Sequence, residues 1–338
     1  MSISTQAAEK LNGGSREERI RAALYRGHLL TLRAPLYLDA VRAITSELLR
    51  EDTKPADLTV EAMELGGRRC VAEIRAKEAG VAAGLEEAEW IYERAQQSAS
   101  RIKNDGDTIG AGDLLLRVEG DARALFSLER LAVNLLQRMG GIATATRKLV
   151  EAARLASPAA HVVGTRKTPW GLLDKRAVHW GGGGTHRLSL SDAVLIKTNH
   201  LRLASRGGTT KLDGMLRGAW QRRGAAAFFE VEVTGAEEAV AVARVLNELQ
   251  ADERSGCPCL VLLDNFSPDD AAMTVRKLRN AYPQDAVIVE ASGGVSEETI
   301  EAYAHSGVDV ISSGALTHSV RALDLSATVV SADEVKQK

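Results

Sequence analysis

Residues 161–200 read HVVGTRKTPW GLLDKRAVHW GGGGTHRLSL SDAVLIKTNH. Two short apolar runs, HVVGT at 161–165 and AVLIK at 193–197, bracket a charged segment with helical spacing and four glycines, Gly181 to Gly184. A β-branched run, a helical crossover and a second such run are the signature of paired parallel strands. Beyond them the pattern recurs as FFEVEV at 228–233, CLVLLD at 259–264, AVIVEA at 286–291 and VDVISS at 308–313. Most of these runs are continuously apolar rather than alternating, which says that both faces of the sheet are covered.

All six runs hand over to polar or glycine-rich groups. Their carboxyl ends carry Thr165-Arg166-Lys167, Lys197-Thr198-Asn199-His200, Glu230-Val231-Glu232, Asp264-Asn265, Glu290-Ala291-Ser292-Gly293-Gly294 and Ser312-Ser313-Gly314-Ala315. In a β/α barrel all parallel strands point these ends at one mouth, where active sites are built. Positive charge also gathers here. Between positions 165 and 200 stand Arg166, Lys167, Lys175, Arg176, Arg187 and Lys197 against Asp174 and Asp192, although the whole chain carries a formal charge of only -2. Such a cluster beside glycines suits a small polyanion bearing carboxylates or phosphates. The plainer alternative is a solvated basic helix and a loop.

Individual groups sharpen this. His186, Arg187 and Lys197 supply donors that could grip a planar diacid. Glu230 and Glu232 are two apart on a strand and share a face. With Asp264 they could hold Mg²⁺ or face a developing positive charge, or they could form salt bridges to Lys197 or Arg187. Ser292-Gly293-Gly294 and Ser313-Gly314-Ala315 precede helical segments at 297–305 and near Leu316, an arrangement in which backbone N–H groups can meet a phosphate.

The remainder reads as scaffold. Residues 15–32 and 34–50 have amphipathic helical spacing. Residues 59–117 contain short alternating strands punctuated by glycine, with a helix over 85–98, and form a small α+β unit. A long helical pattern over 122–155 is interrupted at Gly140-Gly141, with Arg130, Asn134 and Gln137 on one face. Near-neutral charge argues against nucleic acid as the main partner. No run of eighteen apolar residues occurs, and the opening MSISTQAAEKLNGGSREER lacks a signal-peptide core, so a cytoplasmic protein with no membrane partner is expected. Cys70, Cys257 and Cys259 lack metal-ligand spacing and read as reduced and structural.

The motifs TRKT, GGGxxHRLxLxDAVLIKxNH, EVEV, LLDNFSP, EASGG and GVDVISSGALTHSVRALDLS, in this order, resemble those of the quinolinate phosphoribosyltransferase family, the carboxylating nicotinate-nucleotide pyrophosphorylases. The likeness runs from about Glu51 to Ser326. It implies an α/β protein with an amino-terminal α+β sandwich domain plus an open, incomplete α/β barrel of parallel strands. The expected division is a helical extension at 1–35, the sandwich at 36–140, the barrel at 141–320 and a tail at 321–338 that packs back on the first domain. The implied substrates are quinolinate and phosphoribosyl pyrophosphate, with Mg²⁺ as cofactor. By the same resemblance Arg166, His186, Arg187 and Lys197 bind the quinolinate carboxylates, with Glu230 also at the substrate. Lys167, Glu232 and Asp264 surround the ribose, pyrophosphate and Mg²⁺, which Glu232 and Asp264 hold directly or through water. The loops of Ser292, Gly293, Gly294, Ser313, Gly314 and Ala315 match the 5′-phosphate site. Arg130 matches an arginine that completes the neighbouring site of a homodimer.

Three features depart from the family pattern. Thr198 stands where an acid usually follows the strand lysine, PWGLL replaces a longer Thr-Pro-Gly-Leu-Arg segment, and EDTKPADLT has Lys54 and Ala56 in place of glycines. A related enzyme acting on another base, of the kind found beside molybdate transport systems, is the alternative these departures leave open.

Overall fold

A computed structural model describes residues 14–53, 56–205, 212–252, 256–282 and 287–332. Residues 1–13 of the expected extension, Lys54, Ala286 and residues 333–338 of the tail lie outside the described residues. The chain divides into two compact units.

The first unit comprises Gly27–Arg147, Thr168–Gly182 and Leu316–Lys338. Its strands are β1 (Arg69–Ala76), β2 (Gly80–Val81), β3 (Ser98–Arg101), β4 (Thr108–Ile109) and β5 (Leu114–Asp121), with β12 (Leu325–Ala332) contributed from the carboxyl-terminal part of the chain. Four of them form an antiparallel sheet in the order β12-β1-β5-β3. Alternation along β5, where Leu116, Val118 and Gly120 point inward and Arg117 and Glu119 outward, is what a half-covered sheet requires. The expected helix break at Gly140-Gly141 does not occur, because one helix runs unbroken from Ala122 to Ala156. Packing explains the glycines there. A Cβ on Gly141 would lie 2.2 Å from the carbonyl oxygen of Arg321, so only glycine lets that backbone approach.

The second unit comprises Met1–Arg26, Lys148–Lys167 and Gly183–Ala315. It therefore takes in the amino-terminal helix but not the helix Leu172–Trp180. All six expected parallel strands are present: β6 (His161–Gly164), β7 (Val194–Ile196), β8 (Phe229–Val233), β9 (Cys259–Asp264), β10 (Ile288–Ser292) and β11 (Val310–Ser313). They pair in the order β6-β11-β10-β9-β8-β7. β6 and β7 stay unpaired with each other, so the barrel is open.

A capping box at Ser15 and Glu18 starts the helix Arg16–Leu24. Its apolar residues Ile20, Ala23 and Leu24 pack in one cluster with Val163, Ala193, Phe228, Leu260, Ile288 and Val310. All of those partners except Val163 stand within one residue of the start of a strand, so this helix closes the amino-terminal end of the open barrel. Charged ties reinforce it: Arg16 lies 2.8 Å from Asp309, and Arg26 lies 2.5 Å from Asp192. The opposite, carboxyl-terminal end stays free for a site.

Candidate active site

At the carboxyl ends of the parallel strands lies a cavity of about 250 Å³. Thr165, Arg166, Lys167, His186, Arg187, Leu195, Lys197, Glu232, Leu262, Asp264, Glu290, Ser292 and Ser312 line it. Strand geometry accounts for the set. Leu195 and Lys197, Leu262 and Asp264, and Glu290 and Ser292 are pairs two residues apart, one pleat repeat along the inward face of β7, β9 and β10, with Lys197 one residue past the end of β7. Register brings Ser292 level with Asp264 on one side and Ser312 on the other.

Five basic side chains thus face three carboxylates across a small space. Burial and the neighbouring Arg166 both lower the affinity of Arg187 for its proton, the cost of crowding like charges where an anion would relieve them. Burial and the nearby Glu232 carboxylate hold Asp264 above the ordinary carboxylate range. Glu232 is fixed by the residue that departs from the family pattern: Thr198 donates to its Oε1 from both N and Oγ1, each at 3.1 Å. Lys197 Nζ stands 3.8 Å from the other oxygen. Asn265 donates to Asp264 at 3.0 Å and has a left-handed backbone, φ 58°. Gly293 is needed beside it, because a Cβ there would meet Asn265 Oδ1 at 2.2 Å.

Of the residues singled out in the sequence, Arg166, Lys167, His186, Arg187, Lys197, Glu232, Asp264 and Ser292 come together on this cavity. Glu230 does not line it. One pleat repeat deeper than Glu232 on β8, it is 0 % exposed and meets His186 instead, with Nε2–Oε2 at 3.1 Å. Gly293, Gly294, Ser313, Gly314 and Ala315 sit at the same strand ends without lining the cavity. The Ser313 hydroxyl is committed to the Val295 carbonyl at 3.1 Å, whereas its neighbour Ser312 lines the cavity. Arg130 belongs to the antiparallel unit, where it lines a different cavity of about 590 Å³ with Arg68, Met63, Phe126 and Val329 among others. Glu290 and Ser312 were named only as strand-end groups without a role, and Leu195 and Leu262 not at all, although the period of two counted back from Lys197, Asp264 and Ser292 finds Leu195, Leu262 and Glu290.

Glu232 and Asp264 make an all-oxygen, partly exposed donor set whose mutual repulsion a cation would relieve, which fits Mg²⁺ with waters completing its shell. A second group, His186, Glu230 and Glu290, brings three ligand atoms within 4.8 Å of one another. It suits Mg²⁺ poorly, because it is wholly buried and includes a nitrogen that the carboxylates favour in its protonated form.

A cluster of cations and carboxylates at the mouth of an open β/α barrel, joined to an antiparallel α+β unit, defines a class of enzyme that handles phosphorylated and carboxylated small molecules. Comparison with known proteins specifies it. Residues 57–140 match the quinolinate phosphoribosyl transferase N-terminal domain and residues 142–328 the C-terminal domain of the same family. The chain belongs to that family. It is 39% identical over 285 residues to a probable nicotinate-nucleotide pyrophosphorylase [carboxylating] of Methanothermobacter thermautotrophicus, covering 84% of this chain and 96% of the relative. To the human nicotinate-nucleotide pyrophosphorylase [carboxylating] it is 36% identical over 286 residues, covering 84% of this chain and 90% of that one. Its fold matches the crystal structure of NadC from Streptococcus pyogenes with TM-score 0.73 at 29% identity, over 86% of this chain and 97% of that one.

Proposed function

We infer that the chain is a carboxylating nicotinate-nucleotide pyrophosphorylase, a pentosyltransferase of NAD biosynthesis that joins quinolinate to the phosphoribosyl group of phosphoribosyl pyrophosphate. The observation that carries the reading for this chain's own site is the meeting of Arg166, Arg187, His186 and Lys197 with Glu232 and Asp264 in one cavity. A dianionic pyridine needs the first set and a cationic ribose the second.

In this account Arg166, Arg187, Lys197 and His186 hold the two quinolinate carboxylates, which aims the ring nitrogen at the anomeric carbon. The nitrogen lone pair forms the new C–N bond as the bond to pyrophosphate breaks. Glu232, kept in place by Thr198, and Asp264 stabilise the positive charge that grows on the ribose, while Lys167 neutralises the departing pyrophosphate. Mg²⁺ held by Glu232 and Asp264 would supply further neutralisation of the pyrophosphate oxygens. The ring, now a pyridinium, accepts the electron pair released when the carboxylate beside the nitrogen leaves as CO₂, and protonation of that carbon gives nicotinate mononucleotide. Ser292 and Ser312, with the glycine loops behind them, receive the 5′-phosphate.

We propose further that the enzyme is a cytoplasmic homodimer in which Arg130 completes the neighbouring site. Its three free cysteines suit a reducing compartment, and no helix among the described residues is long and apolar enough to cross a membrane. Arg130 is exposed beside Met63 and Val329, which are 60% and 41% exposed, an apolar surface of the kind a second copy covers. Relatives that carry the carboxylating name do not favour the alternative of another base.

Pyrophosphate release from purified protein with phosphoribosyl pyrophosphate and Mg²⁺, comparing quinolinate with nicotinate, tests the reading. Turnover is expected with quinolinate alone. Turnover with nicotinate and none with quinolinate would overturn it.

A further inference from the structure

At the floor of the cavity the barrel holds two carboxylates that are closed off from solvent. Glu230 is 0 % exposed and Glu290 1 %, and both approach the same atom: His186 Nε2 lies 3.1 Å from Glu230 Oε2 and 3.3 Å from Glu290 Oε2. Among the described residues no hydrogen bond reaches either oxygen of Glu230 or Oε2 of Glu290, and His186 Nε2 makes none, so the three atoms meet by charge and proximity alone. Carboxylates this deep are strongly destabilised unless a cation stands beside them. The ring they share is the group placed to be that cation.

The imidazole is held from other directions as well. Its backbone N–H donates to the carbonyl of Leu24 at 3.0 Å, at the end of the helix that closes the barrel, and its φ of 53° is one that few non-glycine residues adopt. The Phe228 ring packs edge-on against it at 5.0 Å between centroids. Nε2 is the ring nitrogen that lies beside the two carboxylates, and the same residue lines the cavity.

We propose that Glu230 and Glu290 are positioning residues that keep His186 an imidazolium, with Nε2 turned inward, so that its Nδ1–H is a permanently charged donor to one quinolinate carboxylate. This rests on the reading of the cavity as the quinolinate site. The charged groups around the ring are Glu230 on β8, Glu290 on β10, the adjoining Arg187, and Arg166, Lys167, Lys197, Glu232 and Asp264 across the cavity. Burial works against the charged ring, but Glu290 and then Glu230 outweigh it and push His186 up to about 9. Burial and the Glu290 charge push Glu230 itself up to about 7, so Glu290 is the counter-charge that persists at lower pH; the folded pKa of the ring lies above the ordinary 6.5, so its charge is present below 6.5 and is kept until pH rises through about 9. Without this pair the diacid grip would fade across neutral pH.

The test uses Glu290→Gln and Glu230→Gln, isosteric changes that keep shape and remove charge, in protein labelled with ¹³C and ¹⁵N histidine. The His186 signal is identified by its absence from His186→Asn. At pH 8 the unaltered protein is expected to show the imidazolium pattern at this ring and Glu290→Gln the neutral one. In parallel, KM for quinolinate is expected to stay within about twofold between about pH 6 and 8.5 in the unaltered enzyme. In Glu290→Gln it should rise roughly 10- to 100-fold over that range, as a ring of ordinary pKa loses its charge, with a much smaller change in kcat. A purely structural role for the carboxylates would lower Tm and leave both the ring signal and the pH profile of KM unmoved. A neutral His186 in the unaltered protein at pH 8, or a ring unchanged by Glu290→Gln and Glu230→Gln, overturns the proposal. A ring that changes as expected while KM stays flat overturns the donor role. Failure of the unaltered chain to turn over quinolinate at all would instead refute the function, and the ring signal is independent of that.

Discussion

Replacing Arg187 by alanine removes the half-buried guanidinium of the cavity and leaves its volume open. The size of the effect can be worked from the surroundings. A carboxylate about 4 Å from a guanidinium at an effective dielectric of about 20 gains about 4 kcal/mol. Arg166 crowds Arg187 closely enough to depress its proton affinity, so it also shares the load on a bound anion, and water entering the vacated space recovers part of the loss. A net cost of about 2–4 kcal/mol is therefore expected, in the range for truncating one partner of a buried charge pair. At about 1.4 kcal/mol per decade this is a roughly 30- to 1000-fold fall in kcat/KM. Because the carboxylates are gripped before and during the chemical step, most of the change belongs in the KM for quinolinate, with the KM for phosphoribosyl pyrophosphate nearly unmoved. Steady-state kinetics with each substrate varied in turn, on protein whose thermal unfolding matches the parent, provides the assay. A kcat/KM for quinolinate within about threefold of the parent would refute the assignment of Arg187 as a carboxylate clamp.

Other expectations concern the scaffold. Leu24→Ala removes a side chain that is 0 % exposed from the cluster closing the barrel, and should cost about 2–5 kcal/mol in urea unfolding. Gly141→Ala sets two effects against each other: alanine favours a helix by about 1 kcal/mol, but its Cβ would fall 2.2 Å from the Arg321 carbonyl oxygen, so net destabilisation of about 1–3 kcal/mol is expected. A stabilised Gly141→Ala would mean that the helix and the Arg321 backbone can separate at little cost. Burial holds the His161 imidazole below its ordinary 6.5, with Glu17 opposing, so the neutral ring is favoured in the folded state. Its contribution is present above 6.5 and lost as pH falls below it, and His161→Gln should flatten the dependence of Tm on pH between about 7 and 5.

The parallel sheet was legible because a continuous apolar run that ends in polar groups is the pattern of a buried strand opening onto a site, and all six runs became strands. Most of the cation and carboxylate set was legible for the same reason: it sits at strand ends. Depth was not. Period two puts Glu230 and Glu232 on one face without saying that the inner one would be sealed under the cavity. Nor does a Ser-Ser pair at a strand end reveal which hydroxyl faces in; the lining takes Ser312, while Ser313 turns to the Val295 carbonyl. Gly140-Gly141 reads locally as a helix break, and only the tertiary approach of the Arg321 backbone explains why the helix continues through it. The place of the helix Arg16–Leu24 was hidden for a related reason. An amphipathic stripe announces that something is covered, but the residues it covers lie in or next to all six strands.

Phosphoribosyl transfer coupled to loss of the carboxylate next to the ring nitrogen is the core of this reading. Quinolinate labelled with ¹⁴C in that one carboxylate, supplied with phosphoribosyl pyrophosphate and Mg²⁺, follows both events in one experiment. Labelled CO₂ and pyrophosphate are expected to appear in equal amounts, with an unlabelled nicotinate mononucleotide. Pyrophosphate released with the label retained in the nucleotide, or no release of either, would contradict it.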